Sequence, residues 1–271
     1  MKIPPELRSL LKKDMRPLRL IKTLCPECVE EKKWDKMKIN GLVYEKGGKV
    51  FLLKNCEEHG VTEEVYYEDY EMYKRFSRYR DPGIKIRNPN IKKNPAEINC
   101  PLDCGLCSMH RSHTALGNIV VTNRCDLSCW YCFFYAKEGD RVYEPSLEQI
   151  RDMLRSMRDE DPVGANAVQI TGGEPTIRDD IVEIVRIAKE EGYDHVQFNT
   201  NGITFAMKPE LVKTLKREGA NVVYMSFDGV DPKANPKNYW EAPLAIQNCR
   251  AAKMNMVLVP TVIRSINDHQ L

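Results

Sequence analysis

Nine of the ten cysteines in this 271-residue chain fall into three tight groups: Cys25/Cys28/Cys56, Cys100/Cys104/Cys107 and Cys125/Cys129/Cys132. The N-terminus, MKIPPELRSLLKKDMR, carries charge inside every apolar stretch and does not read as a signal peptide, so these thiols are expected in a reducing, cytoplasmic setting. There, clustered cysteines are metal ligands or redox groups rather than a disulfide framework. Cys249 stands alone in PLAIQNCRAAK, a helical context, and reads as a buried, inert thiol.

Composition narrows the setting. A charged fraction of 30% exceeds the roughly 25% of an average domain. No run approaches the roughly 18 consecutive apolar residues of a spanning helix, so no transmembrane segment is expected. With 41 Lys+Arg against 39 Asp+Glu the net charge is +2, which gives no strong electrostatic footprint for nucleic acid.

Five segments follow along the chain. Residues 1–19 form a polar arm. Residues 20–70 alternate short apolar runs with Gly and Cys turns and read as a small metal-stapled module, with KVFLLKN a strand after a glycine hairpin turn and VTEEVYYEDY a strand entering a helix. Residues 71–99 are a basic, Pro/Asn-rich linker with solvated charges, an anionic-partner surface being the sharper alternative. Residues 100–117 hold the second cysteine group. From 118 to 271 the pattern becomes regular: NIVVTN, AVQITG, HVQFNT, NVVYMSF and MNMVLVPTVI alternate with helix-like segments. A Ser146/Gln149 capping box opens the first helix, and Gly192 and Gly219 close the next two. Such alternation predicts an α/β fold with a parallel sheet and chemistry at the strand C-termini.

Cys25-Pro-Glu-Cys28 and Cys56-Glu-Glu-His59 supply four ligands in two knuckle-like pairs, enough to close a tetrahedron around zinc or a rubredoxin-like iron. The first strand of the regular region runs into Cys125, Cys129 and Cys132, whose x3 and x2 spacing can wrap one corner of an iron–sulfur cube and leave the fourth iron open. The second strand ends in Gly172-Gly173-Glu174-Pro175, where glycines permit close backbone approach to a ligand. Cys100, Cys104 and Cys107 repeat the x3/x2 spacing without a preceding strand. They read as an auxiliary [4Fe-4S] cluster, with His110, His113 or another group as fourth ligand; a three-cysteine, one-histidine zinc site is the alternative.

CxxxCxxC after the first strand, with Tyr131 before its last cysteine, and GGEP after the second resemble the radical S-adenosylmethionine (SAM) superfamily over residues 118–271. The resemblance implies a partial (βα)6 barrel, with five strands present and the chain ending before the sixth, preceded by a rubredoxin-like or zinc-ribbon-like module. It implies that a [4Fe-4S] cluster on Cys125, Cys129 and Cys132 binds SAM and generates a 5′-deoxyadenosyl radical. Gly172, Gly173, Glu174 and Pro175 would hold the methionine amine, and Tyr131 would lie near the adenine. Asn199, Asn201, Ser226, Asp228 and Arg264 become candidates for ribose and carboxylate contacts, each with a plainer reading as a turn or cap.

The succession CPxC, CxxHG, CPxDCGLCxxHxxHT and TxRCxLxCxxCF is similar to one branch of that superfamily, which includes the archaeal tetraether lipid synthases and an enzyme associated with methylation of a methanopterin precursor. Coupling of isoprenoid lipid chain termini is the reading preferred from sequence, with peripheral contact to the inner membrane surface through its substrate. Methylation of a dihydropterin is the alternative. Either would need an electron donor such as ferredoxin or flavodoxin. A zinc-rich nucleic-acid-binding module is the reading from another class, and GGEP at a strand end argues against it.

Overall fold

A computed structural model describes residues 2–81, 83–91, 93–94, 97–98, 106–134 and 141–270. Contacts divide the chain into two compact units, residues 1–82 with 98–103, and residues 83–97 with 104–271. Cys100 and Cys104 lie outside the described residues.

The first unit is an antiparallel meander of β1 (Arg16–Leu24), β2 (Lys38–Lys46), β3 (Lys49–Cys56) and β4 (Gly60–Tyr67), in that spatial order. Lys46 pairs with Lys49 across Gly47 and Gly48, which both take positive φ (59° and 80°). That is the two-residue hairpin whose twist matches the strands, and glycine adopts its positive φ at both positions without strain. Alternation along β2 buries both of its faces. Leu42 and Tyr44 pack with Leu7, Met15 and Leu53, whereas Val43 packs with Val50 and Leu52 against Tyr67, Tyr70 and Tyr73. Short helices provide the covers: α1 (Pro5–Arg8) contributes Leu7, and α3 (Tyr70–Phe76), capped by Asp69 accepting from the Met72 amide, contributes Tyr70 and Tyr73, Tyr67 being the last residue of β4. The N-terminal residues are therefore more than a polar arm: they hold α1, a fully buried Leu7 and the start of β1 at Arg16. A further helix, α2 (Pro26–Glu30), begins with Cys25 at its N-cap and Pro26 at its first turn.

The second unit is a five-stranded parallel sheet of β5 (Gly117–Thr122), β6 (Ala167–Gly172), β7 (His195–Thr200), β8 (Val222–Ser226) and β9 (Asn255–Val259), arranged in sequence order with every neighbour parallel. The order never reverses, so there is no switch point of the doubly wound kind, and the winding is that of a barrel. Helices α4 (Leu147–Arg158), α5 (Ile181–Glu190), α6 (Ile203–Met207) with α7 (Pro209–Arg217), and α8 (Ala242–Ala251) supply the crossovers. α4 opens with both halves of the Ser146/Gln149 capping box. Gly192 and Gly219 follow α5 and α7 with φ of 85° and 107°.

Ile119, Val121, Val168, Ile170, Val196, Phe198, Val223 and Met225 of the strands pack with Ile150, Leu154, Ile184, Val212, Leu215, Ala245 and Cys249 of the helices in one core. Complete burial of each large side chain contributes about 1.5–3 kcal/mol. Cys249 is fully buried, and burial pushes its thiol up to about 11, as an inert core residue requires. Residues 83–91 clasp the end of α4: Asn88 donates to the Asp159 carbonyl (2.6 Å) and accepts from the Asp161 amide (2.7 Å), and Asn90 donates to Ser156 Oγ (2.6 Å). Among the described residues no helix is long and apolar enough to cross a membrane.

Candidate functional site

β5 delivers the chain at its C-terminal end into the loop carrying Cys125, Cys129 and Cys132, all half-buried. The root of that loop is braced by residues 141–144. Asn123 donates to the Arg141 carbonyl (2.8 Å) and accepts from the Tyr143 amide (2.9 Å), while Glu144 pairs with Arg124 and accepts from Thr122 Oγ1 (2.8 Å). Within the loop, the Leu127 amide donates to Cys125 Sγ (3.4 Å) and the Cys132 amide to the Cys129 carbonyl (3.0 Å).

Two side chains fasten the loop to later strands. Asn201, just after β7, donates to Asp126 Oδ1 (2.6 Å), and Tyr131 donates its hydroxyl to Asp228 Oδ2 beyond β8 (2.6 Å). Burial pushes the Cys125 thiol up to about 11, the Leu127 amide opposing it, and burial likewise raises Cys129 against the pull of Lys237. Thiols so placed become thiolates readily only beside a cationic metal centre. Three half-buried thiols on one short loop, at x3 and x2 spacing, are a donor set that suits a [4Fe-4S] cube.

The GGEP turn packs against that loop. A Cβ on Gly172 would stand 2.1 Å from the Thr122 carbonyl oxygen, and one on Gly173 would stand 2.2 Å from the Arg124 oxygen. Gly172 also takes φ of 147°. The Gly173 and Glu174 amides donate to Thr122 O (2.8 Å) and Arg124 O (2.9 Å). In the first place, then, the glycines admit the protein's own backbone.

Glu174 faces inward as well. It is 1% exposed, and its carboxylate accepts from the Thr176 amide (3.0 Å), Thr176 Oγ1 (2.6 Å), Thr200 Oγ1 (2.9 Å) and the Asn201 amide (2.6 Å). Burial raises its pKa, and the four donors oppose the rise. Pro175 is buried at the start of a single 3-10 turn, Pro175–Ile177.

Of the other candidates, Asn199 donates to Thr171 Oγ1 (3.3 Å), Ser226 ends β8 half-buried, and Arg264 is exposed beyond β9. Asn201 makes an Asx turn by accepting from the Ile203 amide (2.9 Å) in addition to its bond to Asp126. Asp228 is buried and accepts from the Thr261 amide (2.7 Å), the Tyr131 hydroxyl and Lys237 (2.9 Å). Tyr131, whose pKa is raised by burial and by Asp228, is therefore committed at its hydroxyl to the protein. Lys237 and Asn238 were not evident from sequence. Asn238 donates to the Asn201 and Ser226 carbonyls, and both residues lie in the irregular NPKNYW stretch that carries no motif.

In the first unit Cys25, Cys28, Cys56 and His59 converge, their ligand atoms within 4.8 Å of one another. His59 Nδ1 lies 3.5, 3.4 and 3.6 Å from the three sulfurs, and the Cys28 and Cys56 sulfurs are 3.7 Å apart. A tetrahedron with metal–sulfur bonds of about 2.3 Å and a metal–nitrogen bond of about 2.0 Å has edges of about 3.8 and 3.5 Å, so the four atoms fit one ion. His59 Nε2 lies 3.1 Å from Glu31 Oε2, the outer carboxylate that orients a metal-bound imidazole. Burial pushes Cys28 up to about 12 and raises Cys25. At Cys56 burial is outweighed by the Glu58 and His59 amides and the His59 ring, which bring it down to about 7.

Of the second cysteine group the structure describes Cys107, which is buried with its sulfur 3.6 Å from His110 Nδ1. His113 Nδ1 instead accepts from the Ile84 amide (3.1 Å).

Residues 119–271 match the radical SAM superfamily, and residues 17–68 match the HMPTM N-terminal zinc ribbon domain. The chain is 39% identical over 256 residues to the 7,8-dihydro-6-hydroxymethylpterin dimethyltransferase of Methanocaldococcus jannaschii, covering 92% of this chain and 48% of that protein. It is 33% identical over 170 residues to a probable GTP 3′,8-cyclase of Methanothermobacter marburgensis, covering 60% of this chain and 53% of that one. Among solved structures, methylornithine synthase aligns with a TM-score of 0.43 and 18% identity, over 56% of this chain and 45% of that one. The chain thus spans about half the length of the curated relatives named here. These similarities favour the methylation alternative over lipid coupling: a relative matched through both units is a pterin dimethyltransferase. With a parallel sheet wound in barrel order, a CxxxCxxC loop leaving its first strand and GGEP closing its second, this chain belongs to the radical SAM superfamily and carries an N-terminal zinc ribbon.

Proposed function

We propose that this chain is the SAM-activating part of an enzyme that methylates a dihydropterin of the 7,8-dihydro-6-hydroxymethylpterin kind. The observation that carries the reading is the 39% identity to the pterin dimethyltransferase across 92% of the chain, ribbon included. Cys125, Cys129 and Cys132 would hold a [4Fe-4S] cluster, which with SAM supplies reductive cleavage of the sulfonium to a 5′-deoxyadenosyl radical.

The protein's own residues hold and orient. The Gly173 and Glu174 amides are already bonded to the cysteine loop, and an ammonium group needs acceptors, so it is the carbonyls of this turn that suit the methionine amine. Glu174 acts as a brace between the GGEP turn and the β7 terminus, and the half-buried Asn199 and Ser226 at the strand ends remain the polar groups suited to ribose or carboxylate. An auxiliary cluster at Cys100, Cys104 and Cys107 belongs to the proposal; His110 and His113 each accept a backbone amide at Nδ1, from Cys107 and Ile84. Electrons would come from a low-potential donor such as ferredoxin or flavodoxin. The zinc ribbon contributes folding free energy through its closed ligand set rather than reactivity.

The test is anaerobic incubation of the protein with reductant, 7,8-dihydro-6-hydroxymethylpterin and excess SAM, one equivalent as radical source and a second as methyl donor, read by mass spectrometry. Methyl gain on the pterin is the expected outcome. An unchanged pterin together with joined chains from a diphytanyl-type lipid would return the assignment to lipid coupling.

A further inference from the structure

Lys237 is a side chain outside every motif of the sequence. Its ammonium is withdrawn from solvent, 11% exposed, and lies 2.9 Å from the 1%-exposed Asp228 carboxylate. It also lies 4.9 Å from the centroid of the Tyr131 ring, within the range of a cation–π contact. The same Asp228 oxygen accepts the Tyr131 hydroxyl (2.6 Å), and the other accepts the Thr261 amide (2.7 Å). Tyr131 stands between Cys129 and Cys132 in the chain. One buried ion pair therefore grips the cysteine loop by both the face and the hydroxyl of its aromatic residue.

We propose that Lys237 is a positioning residue that seats Tyr131 and holds a fixed positive charge against the Cys129–Cys132 arm of the loop, making a cluster there easier to reduce. The inference rests on Cys125, Cys129 and Cys132 being the cluster ligands. A buried ammonium costs free energy unless paired, and a neutral side chain of similar length would fill the space and pack on the ring without that cost. The pair is asymmetric towards the loop: Asp228 also accepts the Tyr131 hydroxyl and the Thr261 amide, whereas the Lys237 ammonium has the Tyr131 ring face beside it. Reduction adds one electron to a cluster. A nearby cation in a water-poor setting stabilises that extra charge, so the potential rises with the cation and falls without it.

The test is an anaerobic redox titration of the reconstituted full chain, followed by electron paramagnetic resonance, in the wild type, Lys237→Met and Lys237→Arg. The signal to follow is the one that SAM perturbs, since only a cluster with an open iron responds to SAM. Expected are equal iron per chain in all three, a more negative midpoint in Lys237→Met, and a midpoint close to wild type in Lys237→Arg. An unchanged or more positive midpoint in Lys237→Met overturns the proposal.

If Lys237→Met fails to retain iron, the double variant Lys237→Met/Asp228→Asn removes the orphaned carboxylate and is titrated instead. A midpoint equal to wild type there overturns the proposal, and a more negative one supports it. Failure of the underlying cluster assignment looks different: the SAM-responsive signal would then survive Cys125→Ala.

Discussion

Replacing Glu174 with glutamine separates a structural brace from a ligand-binding residue. In the structure Oε1 accepts from the Thr176 amide, Thr176 Oγ1 and Thr200 Oγ1, and Oε2 accepts from the Asn201 amide, within a side chain 1% exposed. A glutamine carbonyl can take over the first three bonds. Its NH2 group then faces the Asn201 amide, donor against donor. One charge-assisted bond worth about 1.5–3 kcal/mol is lost, and two buried donors are left without acceptors at about 1–3 kcal/mol each. Loss of the desolvated charge offsets part of this, and a net destabilisation of about 3 kcal/mol follows. For a unit of this size that lowers the melting temperature by about 6–12 °C. Differential scanning calorimetry of Glu174→Gln against wild type, without SAM, measures it. An unshifted transition in the parallel-sheet unit together with weakened SAM binding would refute the brace and make Glu174 a direct ligand contact.

Gly173→Ala places a Cβ 2.2 Å from the Arg124 oxygen and 2.9 Å from the Asn123 oxygen, both backbone atoms, so iron incorporation measured after anaerobic reconstitution should fall. Gly117→Ala meets the tip of the flexible Met157 side chain instead and should leave iron content unchanged, so equal losses in both variants would contradict the argument. A strong chelator that strips the ribbon metal should abolish amide exchange protection in β1–β4 while protection in β5–β8 persists. The same metal should be released on acidification, because protons compete for Cys25, Cys28, Cys56 and His59; retention of protection in the metal-free ribbon would show that its hydrophobic clusters suffice.

Much of this architecture was legible because its signals are local. Each parallel strand is a short β-branched run, α4 announces itself by Ser146 and Gln149, and the ribbon ligands are two compact pairs whose spacing fixes a closed site. What escaped depends on distance in the chain. The Tyr131–Asp228 bond joins residues 97 apart, and Lys237 enters that network from a stretch with neither periodicity nor motif. The polar look of residues 1–19 concealed Leu7 and Met15, since charges flank every apolar position there.

GGEP stands at the end of β6, where the sequence pattern places it, and its glycines are needed before any ligand binds. Glycines were expected to admit a ligand, and the structure shows that they first admit the Thr122 and Arg124 carbonyls. Asn201 likewise fits its plainer Asx-turn reading and has a second role, tying Asp126 in the cysteine loop to β7. The choice between pterin and lipid left no trace in the motifs, because both chemistries use the same SAM-binding loop.

In the function proposed above, Cys125, Cys129 and Cys132 hold the cluster that activates SAM. Anaerobically reconstituted chain, supplied with SAM and a low-potential reductant, should form 5′-deoxyadenosine, and Cys125→Ala should form none while the ribbon keeps its metal. Undiminished 5′-deoxyadenosine from Cys125→Ala, with loss in Cys107→Ala instead, would move the activating cluster to the other cysteine triplet and contradict the account.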